Sequence, residues 1–131
     1  MPDSSFHEGK IDEILDAYSD SLFIQGVCLF YIGVHAVDYV LAEQFDIEDI
    51  ATHRGRKKRI TENMDWETSE SFAKLLTYSL AIRYNEISSI EIIEKMKESL
   101  KELILHLEQQ YNFPVEIRER IFDTIKSTTY L

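Results

Sequence analysis

The stretch from Leu22 to Phe45 is apolar nearly all the way round, and it limits the possible folds more than any other part of the chain. A helix with one apolar stripe needs one neighbour. A helix that is apolar on every side must be enclosed, either by other helices or by lipid. Gln25, His35 and Asp38 interrupt this run and no basic flank borders it, so the expected setting is the centre of a helical bundle and not a membrane. Proline usage agrees: none occurs between Pro2 and Pro114, and the chain has only four glycines. Little in the middle of the sequence can break a long helix.

The flanking segments supply helices to enclose that one. Residues 1–8 read as a polar lead-in. A first helix over Gly9–Tyr18 places Ile11, Ile14, Leu15 and Tyr18 on one face, and Ser19, Asp20 and Ser21 can end it and cap the central helix over Leu22–Phe45. An acidic connection, Phe45–Ile50, leads to a basic helix over Ala51–Asn63. Asp65 can cap a helix over Trp66–Tyr84 whose inner face is Phe72, Leu75, Leu76, Ser79 and Ile82. Ser88 and Glu91 have the spacing of a capping box for a helix over Ser89–Tyr111, with a stripe of Ile90, Ile93, Met96, Leu100, Leu103 and Leu107. Asn112 and Pro114 match a cap followed by proline at the start of a last helix, which carries Ile117, Ile121 and Ile125. No alternating strand pattern and no repeat interrupts the series. Short connections favour antiparallel neighbours. The predicted fold is all-α: an up-and-down antiparallel bundle of four to five core helices plus a C-terminal helix. At 131 residues it fits a single domain, with a core over 9–111 and the last helix over 114–129.

The net charge of −10 opposes duplex nucleic-acid binding, which draws its affinity from Lys and Arg displacing counterions from phosphates. The charge is uneven, however. Arg54, Arg56, Lys57, Lys58 and Arg59 fall within six consecutive residues, a basic patch suited to a small anion or an acidic partner. Cys28 is the only cysteine, so no disulfide forms within the chain, and its apolar context makes it a small core residue, poorly placed as a nucleophile. The start, MPDSSFHEGK, has neither the basic nor the apolar segment of a secretory signal, which leads to an expected cytoplasmic location.

Three groups of polar residues can carry chemistry. Tyr31, His35 and Asp38 are spaced by four and three, so they share a stripe on the central helix. That stripe is either a satisfied core network, a seam to a second subunit, or one wall of a ligand pocket. His53 and Arg56, three apart at the start of the basic helix, can hold a carboxylate or phosphate, or serve as a solvated basic face. Arg83 and Tyr84 end an apolar helix, where Arg83 either complements the helix dipole or turns inward towards Asp38 or an anion. His35, Asp38 and His53 form a conceivable metal-ligand set, but the chain has no HExxH, paired CxxC, phosphate-binding glycine loop or GxSxG pattern. No metal or cofactor is therefore expected, and His7 and His106 read as ordinary surface residues.

Three segments together resemble the HEPN superfamily (higher eukaryotes and prokaryotes nucleotide-binding domain). Phe30-Tyr31-Ile32-Gly33-Val34-His35-Ala36-Val37-Asp38-Tyr39-Val40-Leu41 is similar to its aromatic-rich second helix, with Tyr followed four residues later by His. His53-Arg54-Gly55-Arg56 is similar to an H-x-x-R element that follows. Tyr78-Ser79-Leu80-Ala81-Ile82-Arg83-Tyr84 resembles the segment ending in Arg-Tyr before the last core helix. The resemblance spans Leu22–Tyr111 and departs from the ribonuclease members in one respect: no Arg here is followed by His at the four-to-six-residue spacing they use. It implies a homodimeric, non-catalytic binding module. Tyr31, His35, Asp38, His53, Arg56, Arg83 and Tyr84 would take a nucleotide-like or other anionic ligand, or the module would dock a nucleotidyltransferase or toxin partner. Two alternatives stand beside it. One is a ribonuclease or phosphodiesterase with His35 or His53 as general base and an Arg as clamp; the other is a purely structural dimerising protein.

Overall fold

A computed structural model describes residues 3–48, 50, 52–84 and 89–127. These form six helices: α1 (Ser4–Ala17), α2 (Leu22–Phe45), α3 (His53–Asn63), α4 (Trp66–Tyr84), α5 (Ile90–Tyr111) and α6 (Val115–Ser127), with no strand among the described residues. The fold is the all-α bundle that the patterning predicts.

Side-chain contacts fix the directions. Ser4 at the start of α1 reaches Glu43 near the end of α2, so α1 runs antiparallel to α2. Gly26 faces Ile82 and Ile93, whereas Gly33 faces Leu75, Leu100 and Leu103. Along α2, then, α4 numbers fall while α5 numbers rise. Accordingly α4 is antiparallel to both α2 and α5, and the four long helices form the up-and-down core. α6 folds back along α5, with Arg118 on Glu108 (2.7 Å), and fastens to α1 through Arg120, which donates to Glu8 (2.9 Å) and Asp12 (2.5 Å).

The apolar stripes are where the periodicity puts them. Ile11, Phe72, Leu75, Ile82, Ile93, Met96, Leu100, Leu103, Leu107, Ile117, Ile121 and Ile125 are all buried. Ile90, the first residue of its stripe, is left 67% exposed. α2 is long and apolar enough to cross a membrane by length and composition, but 72% of its apolar window is buried inside the bundle, which is how a central core helix meets its need for apolar surroundings. Gly26 and Gly33 are what let it be so enclosed. They lie seven apart on one face, and a Cβ on either would run into the Ile82 or Leu75 side chain.

The helix ends correct the sequence reading in three places. α1 begins at Ser4 instead of Gly9, because Asp3 accepts the Phe6 N–H (2.9 Å) and His7, though polar, is buried one turn before Ile11. Ser89, not Ser88, caps α5 by accepting the Ile92 N–H (3.2 Å); Ser88 lies outside the described residues. Asn112 does not cap α6. It ends α5 in the left-handed conformation (φ 57°), which returns the Phe113 N–H to the Leu107 carbonyl at 3.2 Å. Asp46 does the same for α2, returning the Ile47 N–H to Leu41 at 3.0 Å. Ser21 and Asp65 cap α2 and α4 as expected, through the Ile24 and Thr68 N–H groups.

Candidate functional site

Asp38 and Arg56 make the centre of the polar network. Thr52 caps α3 by accepting the Gly55 N–H (2.9 Å), and that start turns His53 and Arg56, one turn apart, towards α2. Arg56 Nε and Nη2 donate to the two oxygens of Asp38 at 2.7 and 2.8 Å. Both residues are buried, 6% and 3% exposed. Such a pair is held by two parallel charge-assisted bonds, and its desolvation makes it costly to break from one side only.

His53 extends this network. Its Nδ1 lies 2.9 Å from Arg56 Nη1. A guanidinium only donates, so Nδ1 is the acceptor and the proton of the neutral ring sits on Nε2. Burial holds the imidazole below its usual range, and the Arg56 and Arg83 charges push the same way against the opposing pull of Asp38. His53 is thus a neutral N–H donor. Its ring packs on Phe30 (5.1 Å between centroids) and Tyr31 (6.1 Å). The Arg83 guanidinium lies over the same two rings, 5.3 Å from Phe30 and 6.0 Å from Tyr31, and 5.4 Å from the ring of Tyr84. Arg83 Nε is buried with no hydrogen-bond partner among the described residues, while Tyr84 is 71% exposed.

The other end of the network belongs to α1. His7 Nδ1 and His35 Nδ1 face each other at 2.9 Å. Burial keeps both imidazoles below their ordinary range; for His35 the neighbouring His7 and Arg56 add to burial, against Asp38, and bring it to about 4. A groove of about 360 Å³ between α1 and α2, lined by Ile14, Val27, Cys28, Tyr31 and His35 among others, reaches one member of this pair, His35. Cys28 is buried there, and burial pushes its thiol up, which suits a packing role.

The seven residues named from sequence therefore do not make one pocket. Asp38, Arg56 and His53 form a hydrogen-bonded line, and the His7–His35 pair lies beside Asp38, within 4.8 Å. Tyr31, Arg83 and Tyr84 attach to the His53 end of that line through the rings. Three expectations change. Arg56 is first a partner within the chain, since one N–H each of Nε, Nη1 and Nη2 goes to Asp38 or His53, which leaves two of its five N–H groups. Arg83 turns onto Phe30 and Tyr31, and Arg56 takes Asp38 in its place. Asp38 is satisfied inside its own chain, so it does not face a subunit seam. The sequence reading also missed Phe30, whose ring joins His53 to Arg83, and His7, whose spacing of four from Ile11 was the signal available.

Among the described residues, two groups of side chains bring possible metal-ligating atoms within 4.8 Å of one another: His7, His35 and Asp38, and, half-exposed, Asp65, Glu67 and His106. In both, the composition differs from the His35, Asp38 and His53 set. His53 belongs to the far side of Arg56, and His106 is not an ordinary surface residue, since it meets Asp65 at 2.6 Å. No protein-family model matches this chain, and neither a curated protein nor a solved structure does.

Proposed function

We propose that the chain is a non-catalytic binding module of the HEPN type that takes an anionic, nucleotide-like ligand at the Arg83 end of the network. The observation that carries this reading is Arg83 itself: a guanidinium laid over Phe30, Tyr31 and Tyr84 with its Nε buried and without a partner among the described residues. Aromatic faces stabilise the cation without using its N–H groups, which leaves those groups for a phosphate or carboxylate. The Nε2–H of His53 is a second donor beside the same rings. The exposed ring of Tyr84 offers a stacking face for a base. Exposed Arg54, Lys57, Lys58 and Arg59 give α3 a local attraction for anions on an otherwise acidic molecule. The module would work in the cytoplasm as a homodimer, with a nucleotidyltransferase or toxin as the class of partner.

A phosphodiesterase or ribonuclease reading draws on the same juxtaposition of His53 and Arg83. The tautomer disfavours it, because a general base at this position needs a free ring nitrogen and Nδ1 already accepts from Arg56. The deciding experiment is a thermal-shift titration of the whole protein with ATP, AMP and inorganic phosphate, repeated on R83A and H53A. A ligand that binds the native state raises the melting temperature by mass action. We expect a rise with nucleotide that is lost in R83A and reduced in H53A. An equal rise in R83A, or none in the wild type at millimolar nucleotide, rules the site out. Cleavage of an RNA substrate that disappears in H53A would favour the enzyme.

A further inference from the structure

We infer that His7, His35 and Asp38 form a site for a divalent transition-metal ion of the imidazole-preferring kind, Zn²⁺ being the test case, held where α1 crosses α2. The site is separate from the Arg83 cradle and does not depend on the reading given for it.

The geometry is that of two candidate ligands from different helices brought into direct contact. His7 and His35 come from different helices, yet their Nδ1 atoms face each other at 2.9 Å. Two imidazoles on one tetrahedral Zn²⁺, each about 2.0–2.1 Å from it, have their nitrogens about 3.3 Å apart; with the ring centres 5.2 Å apart, a turn of roughly 35° by each ring about its own centre admits the ion. As a simple hydrogen bond, the same contact demands opposite tautomers, one Nδ1 donating and the other accepting. With an ion between them, both rings use the Nδ1 lone pair and carry their proton on Nε2. Burial lowers both imidazoles against the pull of Asp38, favouring the neutral form that binds metals.

Asp38 completes the site from behind. One of its carboxylate oxygens and one ring nitrogen of each histidine lie within 4.8 Å of one another, and neither ring hydrogen-bonds to it among the described residues. Since Arg56 holds both oxygens, Asp38 acts through their remaining lone pairs, accepting from a water on the ion. Arg56 is then the positioning group that fixes the carboxylate. The groove lined by Ile14, Val27, Cys28, Tyr31 and His35 gives solvent a route to the His35 side of the site.

The test is calorimetric titration of the EDTA-stripped, full-length protein with Zn²⁺, paired with ¹⁵N spectra of the histidine side chains. One equivalent should bind, with affinity falling at least about tenfold in H7A and again in H35A, and unchanged in H106A. The spectra make the outcome independent of variants that fold poorly: in the wild type, Zn²⁺ should move the Nδ1 signals of His7 and His35. Absence of saturable binding overturns the site. So does binding that persists in H7A, or a shift centred on His106, which would assign the ion to the Asp65 group.

Discussion

Arg56 and Asp38 face each other across two helices with both charges buried, and a single substitution there leaves the partner charge without compensation. D38A should therefore cost about 3–5 kcal/mol of stability in chemical denaturation. D38L paired with R56M should cost much less, because it removes both charges together. A double variant as unstable as D38A would mean that the network contributes more than its two charges. Asp65 tests a carboxylate at a helix start. Burial works against its ionisation, but hydrogen bonds from Tyr111, Thr68 and His106 outweigh that and hold it well below the ordinary 3.8. The unfolded chain therefore takes up the proton first as pH falls. The stability that Asp65 contributes is complete above about pH 5 and is lost progressively as the pH falls below that, with a slope of at most about 1.4 kcal/mol per pH unit. Solvent screening lowers that figure, since 34% of the side chain is exposed. In acid denaturation followed by circular dichroism, D65N should lose this part of the acid limb.

Glycine has opposite meanings in two of the helices, and substitution separates them. Gly9 lies inside α1 with nothing within 4 Å of a Cβ built there, so G9A should stabilise by about 0.5–1 kcal/mol through helix propensity alone. At Gly33 the same gain meets Leu75, which is fully buried and has little room to retreat. Overpacking costs about 1–3 kcal/mol, so G33A should destabilise by about 1 kcal/mol net; thermal melts of the two variants should shift in opposite directions. This contrast also marks what a sequence can disclose. Stripes such as Ile93, Met96, Leu100, Leu103 and Leu107 announce both helix and buried face, because their spacing is local. The packing of Gly33 on Leu75 and the meeting of His7 with His35 are pairings between distant segments, and no local period encodes them. His7 was missed for a second reason: a titratable side chain in a polar segment adds nothing to an apolar stripe, even when its ring is buried among apolar neighbours. Arg56 shows the converse. The motif identified an Arg of consequence, and only the fold shows that its partner is Asp38.

Across the whole molecule the charges are segregated, and this gives stability and binding opposite responses to salt. The chain carries a net −10, so the folded state repels itself, and raising ionic strength screens that repulsion. Exposed Arg54, Lys57, Lys58 and Arg59 stand out on α3, next to the His53 end of the network. An anionic ligand held at Arg83 benefits from their attraction, which the same salt weakens. Moving from 50 to 500 mM NaCl, a range that shortens the screening length severalfold from well above about 10 Å to well below it, should raise the melting temperature of the free protein. Over that range the affinity for ATP should fall, and it should fall more than the affinity for AMP, whose smaller charge feels the patch less. Chloride competing at Arg83 alone would weaken both nucleotides by the same factor, so the difference between the two slopes isolates the contribution of α3. Equal slopes would place the ligand away from the basic helix, whereas a melting temperature that falls with salt would mean that local ion pairs, such as Arg120 with Glu8 and Asp12, outweigh the net repulsion.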